Sequence, residues 1–481
     1  MSQPATGRLR IVMFVLNDCR TDARVLREAG TLTDAGHSVT IIARPSNLDD
    51  QRVEHELRDG FEIIRIPIPL RWRRLAWIIA QTAHPMKVFA ILKAQAQKAP
   101  PLSVLKAAAM TVAGVVLGVL LLPVAVVILV ARLIPAAEPL RSGVDWLVRW
   151  RTSTDEWNRA AAAAAPPADV FHAHDLNALH AAVLARGRAG ARGALVYDSH
   201  EIFLESGSHA DRPEWARKIF RRREAAWTAQ ADALVTVNQA LAEWLGKVYA
   251  PRRTVVLHNT PARWDPTPAD LAGDPLRAAA GLPNGTPVIL YHGNLARHRG
   301  LAELLGAIRQ PSLAGAHLVF LGYGSMASEL RAHAADPASD GRVHVLDAVP
   351  PSELLRWVRP ADVAVMPIQD STVNHRLSTP NKLFEALAAG VPVVVSDLPE
   401  MRRIAIDGPE GPLGALCDPT DPVSIAQACA SLLALPPVER DAFRARCAAA
   451  ARDRWNWETE SQGLLALYRD LAAAREPAAG A

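Results

Sequence analysis

The stretch RLSTPNKLFEALAAGVPVVVSD, residues 376–397, reads as a loop, a helix and a buried strand in quick succession. Pro380, Asn381 and Lys382 stand directly before a helix whose apolar residues surround one acid, Glu385. The run that follows, PVVVS, has no polar alternation, which suits a parallel strand covered on both faces. Loop, helix and strand in this order form part of a βαβ unit and point to an α/β fold.

The same pattern extends in both directions. TPVILYHG, AHLVFLGYG, RVHVLDA and DVAVMP are further strands of this unit, with helical stretches such as LAELLGAI between them. Near the N-terminus RIVMFVL is another continuous apolar run. Asp22 is placed to cap a helix reaching about Ala35, Gly36 to end it, and SVTIIA to form the next strand. ADVFHAH, GALVYDSHE and DALVTVN are strands that end in polar residues. The expected architecture is two Rossmann-like, doubly wound parallel-sheet domains facing across a cleft. Residues 1–270 form the first, interrupted by an insertion at 71–150. Residues 271–440 form the second, with 265–287 as linker and helices over 441–481 packing back toward the first. Ligands of such sheets bind outside the carboxyl ends of the strands.

At 481 residues, half of them apolar and 21% charged, the chain is globular rather than disordered. A net charge of +4 argues against a nucleic-acid binder. Cys19, Cys417, Cys429 and Cys447 follow neither metal nor disulfide spacing and read as reduced cytoplasmic thiols. The first residues lead directly into a strand, so no signal peptide is expected.

The loops at the strand ends carry the chemistry. One strand ends in His292, Gly293 and Asn294, followed by Arg299 and Gly300; another ends in Gly322 and Gly324. Glycines permit close backbone approach, helix N-termini present N–H groups, and Arg299 and Lys382 add full charge. That combination suits a diphosphate. Glu385, one turn into its helix, can accept hydrogen bonds from two vicinal hydroxyls, so the ligand reads as a nucleotide.

The stretches DARVLREAGTLTDAGHSVTIIA, VFHAHDLNAL, YDSHE, LHNTP, YHGNLARHRGL, LGYGS, PNKLFEALAAGVPVVVSD and WNWETESQGLLALY carry a resemblance. Outside residues 70–160 the chain resembles a retaining glycosyltransferase of family 4 with the GT-B fold, in a branch with a PNKLFE loop. The resemblance implies sugar transfer from a nucleotide donor, of UDP or GDP type, with retention at the anomeric carbon and without a cofactor or metal. It places Arg299 at the phosphate site, Glu385 on the donor ribose as the second acid of the E-x7-E motif, and His174 beside the transferred sugar. His174, Arg299 and Lys382 are thus the catalytic candidates. Gly293, Asn294, Gly322, Gly324, Asn374, Asn381 and Glu385 are the donor-binding ones, and Asp175, His200 and Glu201 are further candidates. Two positions depart from the pattern: Leu377 stands where the first acid would contact the sugar, and Asn294 where an arginine is usual. Asn374 or Asn381 is the candidate for the missing contact. His172 and His174 share one face of a strand, and their spacing offers no third metal ligand.

The insertion is unlike the rest. Residues 63–137 contain no acid, and 107–131 contain no charge at all. As a helix that run would reach about 37 Å, against a hydrocarbon core of ~30 Å. The flanking strands belong to one sheet, so the chain must return to the side it left, and Pro123 can break the run. A re-entrant hairpin or a shallow membrane-seated helix pair is expected, with two crossings as the alternative. The basic flank and Trp72, Trp77, Trp146 and Trp150 suit an anionic interface. The resulting expectation is a transferase on the cytoplasmic face of the cell membrane, attached through about 71–150. Its acceptor would be lipid-linked or a cell-surface glycan. The competing expectation is a non-catalytic membrane scaffold that retains the nucleotide-sugar fold.

Overall fold

The computed structural model describes residues 7–47, 50–69 and 138–475. The uncharged run 107–131, and most of the insertion expected at 71–150, lie outside the described residues. Among the described residues no helix is long and apolar enough to cross a membrane.

Eight strands form the first sheet. They are β1 (Arg10–Phe14), β2 (Ser38–Ala43), β3 (Glu54–Arg58), β4 (Phe61–Arg65), β5 (Val170–His174), β6 (Ala194–Ser199), β7 (Ala233–Thr236) and β8 (Thr254–Val256). Their order is β3-β4-β2-β1-β5-β6-β7-β8. Parallel pairing of β1 sets Val12 against Thr40 on one side and Met13 against His172 on the other. Ile11 to Phe14 are fully buried, as a strand with two covered faces requires. Asp22 caps the helix Ala23–Asp34 by accepting from the Val25 N–H, and Gly36 follows with φ of +92°.

The hairpin β3–β4 is a departure from an all-parallel sheet. It is antiparallel and turns at Asp59-Gly60, both with positive φ, a type that favours Asp-Gly. β3, EHELR, alternates charge along an edge, with Leu57 81% exposed, so it carries none of the apolar signal of its neighbours.

Six strands form the second sheet: β9 (Val288–Asn294), β10 (His317–Tyr323), β11 (Val343–Leu346), β12 (Val363–Met366), β13 (Val393–Ser396) and β14 (Gly414–Cys417). Every pair is parallel and the order is β11-β10-β9-β12-β13-β14. Counted within the sheet this is 3-2-1-4-5-6, so the order reverses between β9 and β12, where ligands of this architecture sit. Alternate residues feed two cores. Leu290, Val319, Met366 and Val395 pack with Phe384 and Leu387 on one face. Tyr291, Phe320, Val365 and Val394 pack with Ile425 and Cys429 on the other.

The chain divides into two compact units, 8–197 with 207–232, and 198–206 with the chain from Ala233 onward. Residues 265–287, expected as a linker, hold the short helices Pro268–Leu271 and Pro275–Ala280. The second is docked: Leu276 is buried, and the Arg277 guanidinium bridges Asp274 and Asp362. At the C-terminus the helix Trp457–Ala473 meets the chain after β8, where Glu460 accepts from the His258 amide at 2.8 Å.

Candidate active site

The opening stretch folds as read. Asn381–Ala388 is a helix preceded by Pro380 without a side-chain cap, so its first turn leaves backbone N–H groups at the carboxyl edge of the second sheet. Leu383, Phe384, Ala386 and Leu387 enter the core, which leaves Lys382 and Glu385 on the remaining face.

Lys382 is no solvated helix-start residue. It is half-buried, and its Nζ lies 3.6 Å from the centroid of the Tyr291 ring in the middle of β9. Burial and the nearby Arg299 push its pKa well down, while Glu385 acts in the opposite direction. An anion placed here would act in the same direction as Glu385 and favour the charged ammonium. Glu385 is held by the buried His292, whose Nε2 lies 3.0 Å from Oε2. The imidazole fixes one carboxylate oxygen and leaves the other for a ligand. Sequence reasoning named His292 only as a strand end; its role needs the register that brings β9 beside this helix.

The glycines have steric reasons. A Cβ on Gly322 would stand 1.9 Å from the Gly293 carbonyl oxygen, and one on Gly324 2.3 Å from that of Leu295. The paired strands β9 and β10 therefore bring their last turns together only with glycine there. Gly293 itself has φ of +100°, with the Lys382 Nζ 3.6 Å from where its Cβ would be. The Tyr291 hydroxyl donates to the Asn294 carbonyl at 3.0 Å and pins the loop, leaving the Asn294 side chain exposed. Gly300 has φ of +69° and abuts Pro367, which seats the half-buried Arg299 at the start of the helix Leu301–Ala307.

His375 stands close enough to this cationic group to feel its charge. Burial, then Arg299 and His298, push its pKa down to about 4 against a weaker pull from Asp370. The imidazole is neutral at pH 7, and its Nδ1 lies 2.7 Å from the Ser371 hydroxyl.

The loop before Lys382 is anchored. Asn374 is buried, and its Oδ1 accepts from the Ile202 amide at 2.8 Å. The Asn238 carboxamide donates to the Leu377 carbonyl at 2.8 Å and to Thr379 Oγ1 at 3.0 Å. Of the two amides considered for a sugar contact, Asn374 is thus occupied at its oxygen, and Asn381 is exposed. In the Ile202 segment His200 Nε2 lies 3.2 Å from the buried Asp198, and Glu201 accepts from the Ser206 hydroxyl at 2.7 Å. His200, Glu201, Arg299, Lys382 and Glu385 therefore all belong to one compact unit.

His174 and Asp175 belong to the other unit, at the end of β5. Asp175 has φ of +62°, a strained conformation for a non-glycine residue and one that clusters at functional sites. His172 and His174 are fully buried and stacked, with ring centroids 4.5 Å apart. The fold supplies a neighbour that the HAHD spacing does not contain. Glu28, on the helix Ala23–Asp34, lies 3.9 Å from His172 Nε2 and forms a buried ion pair with Arg24 at 3.0 Å. These donors stand close enough for a metal ion, yet Arg24 already neutralises the carboxylate. The arrangement fits a charge network better than a cation site.

Comparison with known proteins gives the family. The family model described as Glycosyl transferases group 1 matches residues 286–434, and that described as Glycosyltransferase Family 4 matches 122–260. A D-inositol 3-phosphate glycosyltransferase of Acidothermus cellulolyticus is 30% identical over 65% of this chain and 69% of its own length. The chain belongs to glycosyltransferase family 4. The protein of that same name from Xylanimonas cellulosilytica is 32% identical over 52% of the chain, and the match spans 59% of that relative. Among solved structures, sucrose-phosphate synthase from Thermosynechococcus elongatus is similar with a TM-score of 0.66 at 17% identity, covering 97% of this chain and all of that one. HepE from Anabaena, solved with UDP-glucose, is similar at 0.57 and 14%, covering 96% and 100%. These likenesses establish the GT-B fold for this member of the family.

Proposed function

We propose that this family 4 member is a retaining, metal-independent glycosyltransferase. It takes a sugar from a nucleotide-sugar donor and passes it to a membrane-borne acceptor, lipid-linked or a glycan. The observation that carries the donor half is the grouping of Lys382, Arg299 and the His292-held Glu385 at an uncapped helix start. The donor diphosphate lies against the N-terminal amides of Asn381–Ala388. Arg299 and Lys382 stabilise the charge that grows on the leaving phosphate as the glycosidic bond breaks. Glu385 accepts from the ribose hydroxyls with its free oxygen. The D-inositol 3-phosphate glycosyltransferases and the UDP-glucose complex of HepE support a nucleotide-sugar donor and a hydroxylated acceptor. The acid-free segment 63–137 supports the membrane half and a place on the cytoplasmic face.

Leu377, at the position of the family's first acid, prompts a second reading, a non-catalytic membrane scaffold that retains the nucleotide-sugar fold, against which stand the relatives named as glycosyltransferases. Purified full-length protein incubated with UDP- and GDP-sugars separates the two. We expect slow hydrolysis that releases free sugar with the anomeric configuration of the donor, followed by proton NMR. Nucleotide binding without release from any donor would favour the scaffold, and an inverted product would remove the retaining mechanism.

A further inference from the structure

Two helices in the unit of residues 8–197 and 207–232 carry a surface that the catalytic reading does not use. On the helix Glu138–Arg149, Gly143 and Trp146 face inward, and Trp146 packs on Phe220 with ring centroids 4.2 Å apart. Opposite them Leu140, Val144 and Val148 recur every four residues and are 58%, 46% and 47% exposed. Three large apolar side chains in one outward row are unusual for a face in water. The partner helix, Glu214–Thr228, packs Trp215 over Gly143 and leaves it 38% exposed. Trp215, Lys218 and Arg222, at i, i+3 and i+7, share that helix's outer face, and both cations are exposed.

The charges differ between the two helices. On the first, Glu138 pairs with Arg141 and Asp145 with Arg149. On the second, Glu214 is engaged by Arg217 and Arg221, and Glu224 is buried on the Tyr197 hydroxyl. Lys218 and Arg222 remain as outward positive charge beside the apolar row. Apolar side chains, an amphipathic tryptophan and basic residues on one face are what an anionic bilayer surface takes up. The sequence adds continuity, because the uncharged run 107–131 ends shortly before Glu138.

We infer that the joint face of helices Glu138–Arg149 and Glu214–Thr228 docks on an anionic lipid surface. Leu140, Val144, Val148 and Trp215 enter the headgroup boundary, and Lys218 and Arg222 meet lipid phosphates. This deepens the membrane half of the proposed function and rests on it.

The test uses full-length protein with vesicles of phosphatidylcholine alone or mixed with phosphatidylglycerol. A nitroxide on Val144→Cys can be attached selectively, since the four native cysteines are buried. With anionic vesicles the label should lose collisions with an aqueous nickel chelate and gain them with oxygen. Lys218→Glu/Arg222→Glu should weaken partition to anionic vesicles at least about tenfold, as each basic residue near such a surface adds ~1 kcal/mol. Unchanged secondary structure and melting temperature in both variants keep the comparison valid. A label that stays aqueous while the protein still binds vesicles overturns this surface and leaves attachment through 107–131 standing. A label shielded from both reagents means that protein covers the face and also overturns it. No binding to either vesicle removes the membrane reading itself.

Discussion

Glu385 depends on His292, and that pairing gives the first prediction. Glu385→Ala should weaken donor binding by about 1–3 kcal/mol, the loss expected for a charged hydrogen-bond partner. His292→Ala should weaken it by less, because the carboxylate stays but loses its orientation. Titration calorimetry would read both, and equal affinity in Glu385→Ala and parent would end the ribose role. Lys382→Ala and Arg299→Ala should lower turnover on the order of a hundredfold, since both act on charge that grows in the transition state. A near-normal rate in either variant removes that residue from the site. Lys382 and Glu385 were legible in the sequence because charge among apolar helix residues must face something specific. His292 and His375 were not, because each acquires its partners only through strand register and loop packing.

At the scale of elements, the close approach of β9 and β10 is the constraint. Gly322→Ala puts a methyl against the Gly293 carbonyl, so the strand ends must part. A cost of roughly 1–3 kcal/mol in stability is expected, as for overpacking, together with weaker donor binding. Melting and binding measured on the same sample check it, and an unaffected variant would show that the turn has slack. His375 carries a pH dependence. Its pKa of about 4 lies below the 6.5 of a free imidazole, so the unfolded chain takes up its proton first. Stability from this residue is full above about pH 6.5 and falls as pH drops toward 4. Denaturant titrations should show that decline, reduced in His375→Gln, and an NMR titration of His375 centred near 6.5 would contradict it. Strands such as β1 and β13 were legible as unbroken apolar runs. The edge strand β3 was not, since one of its faces is exposed and the other only half-buried, which leaves charged residues free to occupy it.

For the whole molecule, the α/β class followed from repeated strand–loop–helix units, and the GT-B fold from the resemblance that the quoted family 4 stretches carry. Less legible was the course of the chain after β8, where 265–287 reads as linker yet docks Leu276 and Arg277 against the second sheet. Composition alone cannot separate a free linker from a docked one when both are rich in proline and glycine. The placing of Glu28 beside His172 and His174 was equally out of reach, because it lies far from that strand in sequence. It also makes the metal question testable: activity should survive EDTA, and loss of turnover restored by added zinc or magnesium would contradict the charge-network account. The central claim is that the carboxyl edge of the second sheet is a nucleoside-diphosphate site. Calorimetric titration of UDP and GDP into full-length protein, Lys382→Ala and Glu385→Ala tests it most directly. The account predicts saturable one-to-one binding of at least one nucleotide, weakened roughly fivefold or more in each variant. Failure of both nucleotides to bind, or binding unaltered by both substitutions, would contradict it.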